Sequence, residues 1–306
     1  MRVRVLGSGA GGGFPQWNCN CDHCRGLRAG TLNAKPRAQS ALVISADNKR
    51  WYLINAGPDI RQQIGMFDGL APRDVPRHTP IQAVLLTNAE VDHIAGLLTL
   101  RESQPLYLYS TQQVHGWIME TNSIFQTVCG PPRCTWKTVE LSGQHDLIGV
   151  DEKPSGIRYE AFTVPGRAPA YLLGKVNDWS EASIGYKFID TQTGRSLVYL
   201  PGVRQVDDTV KARLSDCDVF FLDGTCWTDE EMIVVGLAQK TSFSMGHVPI
   251  SGSEGSLEKL ADVRNVRKIY THLNNTNPLV IEDSPQRRAA EEAGWEVAFD
   301  GMDFEV

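Results

Sequence analysis

Apolar and β-branched runs bounded by turn residues recur along the chain and predict strands. In the first half they fall at Arg2–Leu6, Ser40–Ser45, Trp51–Ile54, Ile81–Leu86 and Leu106–Tyr109. In the second half they fall at Gly185–Ile189, Ser196–Leu200, Val219–Leu222 and Val266–Thr271. Ala46-Asp47-Asn48-Lys49 and Gln192-Thr193-Gly194 carry turn chemistry between neighbouring runs, so each half contains a hairpin. Helical periodicity covers His93–Arg101, Thr111–Phe125, Val206–Leu214, Ser256–Val263 and Pro285–Ala293, with Ser110, Ser253 or Ser256, and Ser284 as N-caps. Strands precede helices in each half, and no Pro/Ser-rich linker separates them. That order predicts an α/β protein of one domain over residues 1–306, two sheets face to face with helices outside, a four-layer αββα arrangement.

With 306 residues, 42% of them hydrophobic, the chain can bury a large core. A net charge of −6 argues against nucleic acid, which needs clustered Lys and Arg to neutralise phosphates. No apolar run of about 18 residues occurs and the first strand lacks a signal-peptide pattern, so the expectation is a cytoplasmic protein without a membrane partner. The seven cysteines are odd in number, and three lie within Cys19–Cys24, which in a reducing compartment favours metal ligation over disulfides.

Gly7-Ser8-Gly9-Ala10-Gly11-Gly12 satisfies G-x-G-x-x-G directly after a strand. A dinucleotide site would need a helix opening at the third glycine, yet Gly13-Phe14-Pro15 and the cysteine cluster follow. The glycines read instead as tight turning or close backbone approach beside a site.

In Cys19-Asn20-Cys21-Asp22-His23-Cys24 the C-x-C-x-x-C spacing lets three thiolates converge on one Zn2+, which takes soft ligands tetrahedrally. Such an ion can contribute about 10–16 kcal/mol to folding. The fourth ligand is His23 or a remote histidine. His247, in Met245-Gly246-His247-Val248-Pro249, is favoured because His23 and Cys24 are adjacent and one backbone would have to turn both onto the same ion. Cys129 and Cys134 offer either a second, weaker knuckle or a surface loop with two free thiols, and Cys217 and Cys226 read as core residues.

A second constellation lies where apolar strands meet loops. Ile81–Leu86 runs into Thr87-Asn88-Ala89-Glu90-Val91-Asp92-His93, Val219–Leu222 into Asp223-Gly224-Thr225, and Val266–Thr271 into His272. Asp92, His93, Asp223 and His272 together outweigh the reading of any one as a hydrogen-bonded core residue.

Thr87-Asn88-x-Glu90-x-Asp92-His93-x-x-Gly96 resembles the T-H-x-H-x-D-H-x-x-G motif of the metallo-β-lactamase superfamily, with Asp223-Gly224-Thr225 and Tyr270-Thr271-His272 similar to its later motifs. The first two motif histidines are Asn88 and Glu90, and Phe162–Pro169 lacks a third, so one of the two usual metal sites is dismantled. The N-terminal glycine and cysteine segment, the altered N-x-E-x-D-H motif, M-G-H-x-P-I and T-H-x-N-N-T-N-P are similar to the pyrroloquinoline quinone (PQQ) biosynthesis branch of that superfamily. A phosphodiesterase of phosphonate metabolism in the same superfamily resembles this chain in its C-x-C-x-x-C with a later histidine, which supports His247 as a ligand of the knuckle.

The resemblance implies an iron-dependent hydroxylase acting with O2 on a tyrosine ring in a crosslinked Glu–Tyr intermediate. Asp92, His93 and His272 would hold Fe2+, an N/O site at which Zn2+ can compete. Asp223 is implied as a fourth ligand or a base, and Glu90 and Asn88 as lining the vacated half. Arg167 and Arg204 are candidate cations for an acidic substrate, and Asn274, Asn275 and Asn277 neutral donors. Two alternatives stand beside it: a carrier of PQQ or its precursor, without turnover, and a two-metal hydrolase using Glu90 as a ligand. The implied partners are that small molecule and other PQQ biosynthesis proteins, and a homodimer is compatible with the pattern.

Overall fold

The computed structural model describes residues 1–73, 75–102 and 105–306. Its first sheet takes β1 (Arg2–Gly7), β2 (Ala41–Ser45), β3 (Trp51–Ile54), β4 (Ile81–Leu85), β5 (Leu106–Ser110) and β6 (Cys134–Thr138). The second takes β7 (His145–Ile148), β8 (Pro154–Thr163), β9 (Ile184–Asp190), β10 (Ser196–Leu200), β11 (Val219–Asp223), β12 (Arg267–Thr271) and β13 (Trp295–Val297). The chain then returns as β14 (Asp303–Glu305) to the edge of the first sheet, giving the orders β14-β1-β2-β3-β4-β5-β6 and β13-β12-β11-β10-β9-β8-β7. Both sheets are parallel where they approach the site, β3 to β6 and β10 to β13.

Strands β2, β3, β10 and β11 are buried along their whole length, which is why they read as nearly continuous apolar runs instead of alternating ones. Between the sheets, Val3, Leu42, Ile54 and Leu85 from one face meet Tyr186, Tyr199, Phe221 and Ile269 from the other. Outside the first sheet, Val114, Trp117, Ile118 and Phe125 cover Val43, Leu53 and Val84. Outside the second, Val210, Leu214 and Ala290 cover Val198, Phe220 and Tyr270. The αββα layering expected from the pattern is what forms.

Element boundaries differ where local chemistry overrides periodicity. The helix expected over His93–Arg101 starts at Val91 and gives way after Ile94 to a 3-10 turn, Ala95–Leu98. Gly96 there presses on the backbone of Gly57: a Cβ on it would lie 2.2 Å from the Gly57 carbonyl oxygen. Thr111–Phe125 is two helices, Gln112–Thr121 and Ser123–Cys129, parted by Asn122 in extended conformation. The cap is Thr111, whose hydroxyl accepts from the Val114 N–H, not Ser110. Gly255, rather than Ser253 or Ser256, stands at the cap of Ser256–Lys259, while Ser284 caps the Pro285 helix as expected. Cys129 and Cys134 are buried, so they are not the surface-loop thiols the sequence suggested. No helix among the described residues is long and apolar enough to cross a membrane.

The carboxyl ends of β4, β11 and β12 open at one rim of the sandwich, the usual place for a site in parallel sheets. The turn after β1 joins them there: the Ala10 N–H donates to the Leu273 carbonyl just beyond β12, and the Leu273 N–H to that of Ser8.

Candidate metal centre

The chain leaves β4 through Thr87 and Asn88, and two side-chain amides shape the turn. Asn55 exchanges hydrogen bonds with the Thr87 backbone and hydroxyl. Asn88 Oδ1 accepts from the Glu90 N–H at 3.0 Å and lies 2.8 Å from Nδ1 of His93. That contact sets His93 Nδ1 as the N–H and leaves Nε2 as the lone pair. Nε2 is buried and without a hydrogen-bond partner, the kind of orphan a metal ion would satisfy. Asp92 Oδ2 stands 3.2 Å from Nε2 of His272, and one ligand atom each of Asp92, His93 and His272 falls within 4.8 Å of the others. His272 holds its position at φ 58°, a left-handed conformation that a non-glycine residue adopts only when its surroundings impose it.

Electrostatics agree with a cation site. Burial pushes His93 down to about 4, favouring the neutral ligand form over the nearby charge of Asp92. Burial alone would raise Asp92, but His93, His272 and His247 pull it well below the usual carboxylate range. The glycine loop contributes through closeness, not phosphate binding: a Cβ on Gly11 would lie 3.3 Å from Asp92 Oδ2.

Behind this set lies a buried network that corrects one expectation. Asp223 remains a candidate ligand, since one ligand atom each of Asp223, His247 and His272 also falls within 4.8 Å of the others. Its Oδ1 accepts from the Thr225 N–H and hydroxyl, and its Oδ2 from the Val203 N–H at 2.9 Å and from His247 Nδ1 at 2.6 Å. His247 therefore belongs to this rim and not to the cysteine knuckle. It stacks on His272 with ring centres 5.2 Å apart. The strong acceptor it needs is Asp223, buried at the end of β11, which the M-G-H segment meets through the Val248 N–H bonded to the Val203 carbonyl. Thr225 Oγ1 is 2.9 Å from Nδ1 of His272, so His272 too keeps Nε2 toward Asp92. Burial lowers His247, but Asp223, Asp92 and Glu90 outweigh it and raise it overall. Three imidazoles thus line the cavity with Nδ1 engaged, a backing arrangement that fixes tautomer and ring orientation at metal sites.

The cavity in front of them measures about 230 Å³. Asn88, Glu90, Arg167 and Asn274 line it as predicted, with the unpredicted Lys240, Met232 and Met245. Arg167 Nη1 donates to the Ser244 carbonyl, and its Nε is buried and unpartnered. Glu90 is raised, first by burial and then by Asp92. Three of the expected substrate contacts lie elsewhere. Arg204 is exposed outside the cavity, its backbone tied to Pro165. Asn277 is wholly buried, donating to the Gly224 carbonyl and capping Leu279. Asn275 points at the knuckle instead. Thr225 was missed because a hydroxyl carries no metal-ligand signature, and Lys240 because nothing in its polar surroundings marks it.

At the knuckle, Cys19, Cys21 and Cys24 offer sulfurs within 4.8 Å of one another at the start of the helix Asp22–Ala29. His23 turns away: its Nδ1 meets the Asn275 carbonyl at 3.0 Å. The convergence of three thiols suits Zn2+.

A family model described as "Beta-lactamase superfamily domain" matches residues 50–273. The chain is 43% identical over 305 residues to coenzyme PQQ synthesis protein B of Methylobacterium sp. (strain 4-46), covering 99% of each, and 42% identical to its counterpart in Bradyrhizobium diazoefficiens, again over 99% of each. Among solved structures, Zn(2+)-bound PqqB from Methylobacterium extorquens superposes with a TM-score of 0.91 at 41% identity, with both chains fully covered. A diphosphatase of the PhnP family shares the fold, at a TM-score of 0.67 and 19% identity over 100% of this chain and 97% of its own. The chain belongs to the coenzyme PQQ synthesis protein B family, within the β-lactamase superfamily.

Proposed function

We propose that this protein acts in PQQ biosynthesis as a metal-dependent hydroxylase of the tyrosine ring in a crosslinked Glu–Tyr intermediate, using Fe2+, O2 and an external two-electron reductant, so that one oxygen atom enters the ring and the other leaves as water. The name shared by its relatives supports the pathway. The observation that carries the chemistry is the donor set: two imidazoles and one carboxylate converge within 4.8 Å, while Asn88, where a second ion would want a ligand, spends its carbonyl on His93. Two histidines and a carboxylate with open positions are the ligands of non-haem iron that activates O2. Asp92, His93 and His272 hold the ion. Arg167 and Lys240, in the lining of the same cavity, pair with the substrate's carboxylates. Glu90, a weakened acid, takes up the phenol proton at its carboxylate, and His247, backed by Asp223, donates to the phenol oxygen through Nε2. The knuckle holds structural Zn2+. The test is anaerobic loading with Fe2+, addition of the Glu–Tyr diamino acid and a two-electron reductant such as ascorbate, then O2. Substrate-dependent O2 uptake with a catechol or quinone product is expected. Binding without turnover would favour a carrier, and product formation without O2 a hydrolase.

A further inference from the structure

Cys129 and Cys134 are a pair that the metal chemistry leaves unused. Among the described residues no third His, Cys, Asp or Glu converges on them, so a second knuckle does not form. Yet the fold brings the two together. Cys129 ends the helix Ser123–Cys129, Cys134 begins β6, and one tight turn joins them. In that turn the Gly130 carbonyl accepts from the N–H of Arg133 at 3.2 Å and from that of Cys134 at 3.4 Å. Cys134 and Trp136, two residues apart, share a face of β6. The Trp136 indole N–H donates to the Cys129 carbonyl at 3.0 Å, so the end of the helix lies over that face. There the Cys129 thiol hydrogen-bonds the Cys134 sulfur. We propose that Cys129 and Cys134 form a redox-active dithiol, closed to a disulfide by a small-molecule disulfide such as oxidised glutathione, with Cys134 the attacking sulfur.

Access sets the order of attack. Cys134 stands on the edge strand of its sheet, 7% exposed and next to the exposed Pro131, Pro132 and Arg133, whereas Cys129 is 1% exposed. The hydrogen bond from Cys129 lowers the Cys134 thiol against the effect of burial, and the Arg133 charge lowers it further. The same bond, with burial, raises Cys129. The Cys134 thiolate attacks one sulfur of the small disulfide, expelling one thiolate and leaving a mixed disulfide. Cys129 then gives its proton to solvent and displaces the second small thiolate from the Cys134 sulfur. Two protein thiols lose two electrons, the reagent's S–S bond is exchanged for the protein's, and two small thiols leave. The closed pair staples the helix to β6. That helix supplies Phe125 to an apolar cavity lined also by Val91 and Ile94, the chain neighbours of Asp92 and His93. Closing therefore braces the wall against which the metal-ligand turn packs.

The proposal is independent of the reaction assigned above and is tested on the zinc-loaded full chain. After equilibration with graded ratios of oxidised to reduced glutathione and blocking of free thiols, trypsin cuts after Arg133 and so parts the two cysteines. The expected product is the peptide ending at Arg133, disulfide-linked to Cys134–Lys137 and released by dithiothreitol. Both cysteines still free in oxidised glutathione alone would overturn the proposal, and this reading of the parent needs no variant to fold. Cys129→Ser should gain glutathione on Cys134 at least about tenfold faster than Cys134→Ser gains it on Cys129. Equal or reversed rates would overturn the order of attack. In urea the oxidised parent should unfold at a higher midpoint than the reduced one, with no such difference in Cys129→Ser. Equal midpoints in the parent would overturn the staple.

Discussion

Replacing Asn88 with alanine isolates the contact that holds His93 with Nε2 toward the proposed ion. Asn88 Oδ1 receives Nδ1–H of His93 at 2.8 Å, and the nearest substitute is the Thr87 hydroxyl at 3.3 Å, already engaged by Asn55. Leaving a buried donor without its partner costs about 1–3 kcal/mol, and the Thr87 hydroxyl places the folding cost near the lower end. The larger effect is on the ion. Removing the group that backs a metal-binding histidine lowers affinity by about 10–100-fold, or roughly 1.4–2.8 kcal/mol. Anaerobic Fe2+ titration against a competing chelator measures this, with knuckle zinc content as an internal control that should not move. Asn88→Asp keeps the acceptor oxygen and should recover much of the loss. An Asn88→Ala protein that binds iron within about twofold of the parent would refute the claim that this contact orients His93.

Two further outcomes follow from the geometry. Gly96→Ala would place a Cβ 2.2 Å from the Gly57 carbonyl and 2.8 Å from that of Ala56, so the 3-10 turn must move. A loss of about 1–3 kcal/mol or more in urea denaturation is expected, with weaker metal binding at Asp92 and His93, and full stability would contradict the close approach. Glu231 is raised to about 7 from 4.5, chiefly by burial, despite accepting from the Trp227 N–H and the Thr276 hydroxyl. Because the folded acid is the weaker one, its contribution is complete below about 4.5 and is lost as pH rises through 7. Glu231→Gln should flatten that part of the Tm-against-pH curve, and equal slopes in the two proteins would contradict the assignment.

How much of this was legible in the sequence depended on whether a residue's role showed in its own neighbourhood. The unbroken runs Trp51–Ile54 and Ser196–Leu200 marked strands to the residue, because burial on both faces leaves a dense apolar run. β8 was missed despite its length: Pro154 and Gly156 open it, and exposed Arg158 and half-buried Glu160 interrupt its buried positions. β14 was missed because three residues with an acidic flank carry no period, and their pairing with β1 joins opposite ends of the chain. At the site, Asp92, His93 and His272 were readable from strand ends followed by ligand-type side chains. His247 was misplaced because motif spacing says which residues can bind metal, not which of two buried sites a remote loop reaches. The partners that decided it, Asp223 and Asn275, act through hydrogen bonds formed only once the two sheets are assembled.

The central claim is oxygen chemistry at a single ion held by Asp92, His93 and His272, and isotope labelling tests it most directly. The full chain, loaded with Fe2+ and given the Glu–Tyr diamino acid and the reductant, is run once under labelled O2 in ordinary water and once under ordinary O2 in labelled water. The account predicts that the new ring oxygen carries label from O2, and that His93→Ala abolishes its incorporation. Label arriving at cleaved product from water, or equal incorporation by the His93→Ala protein, would contradict it.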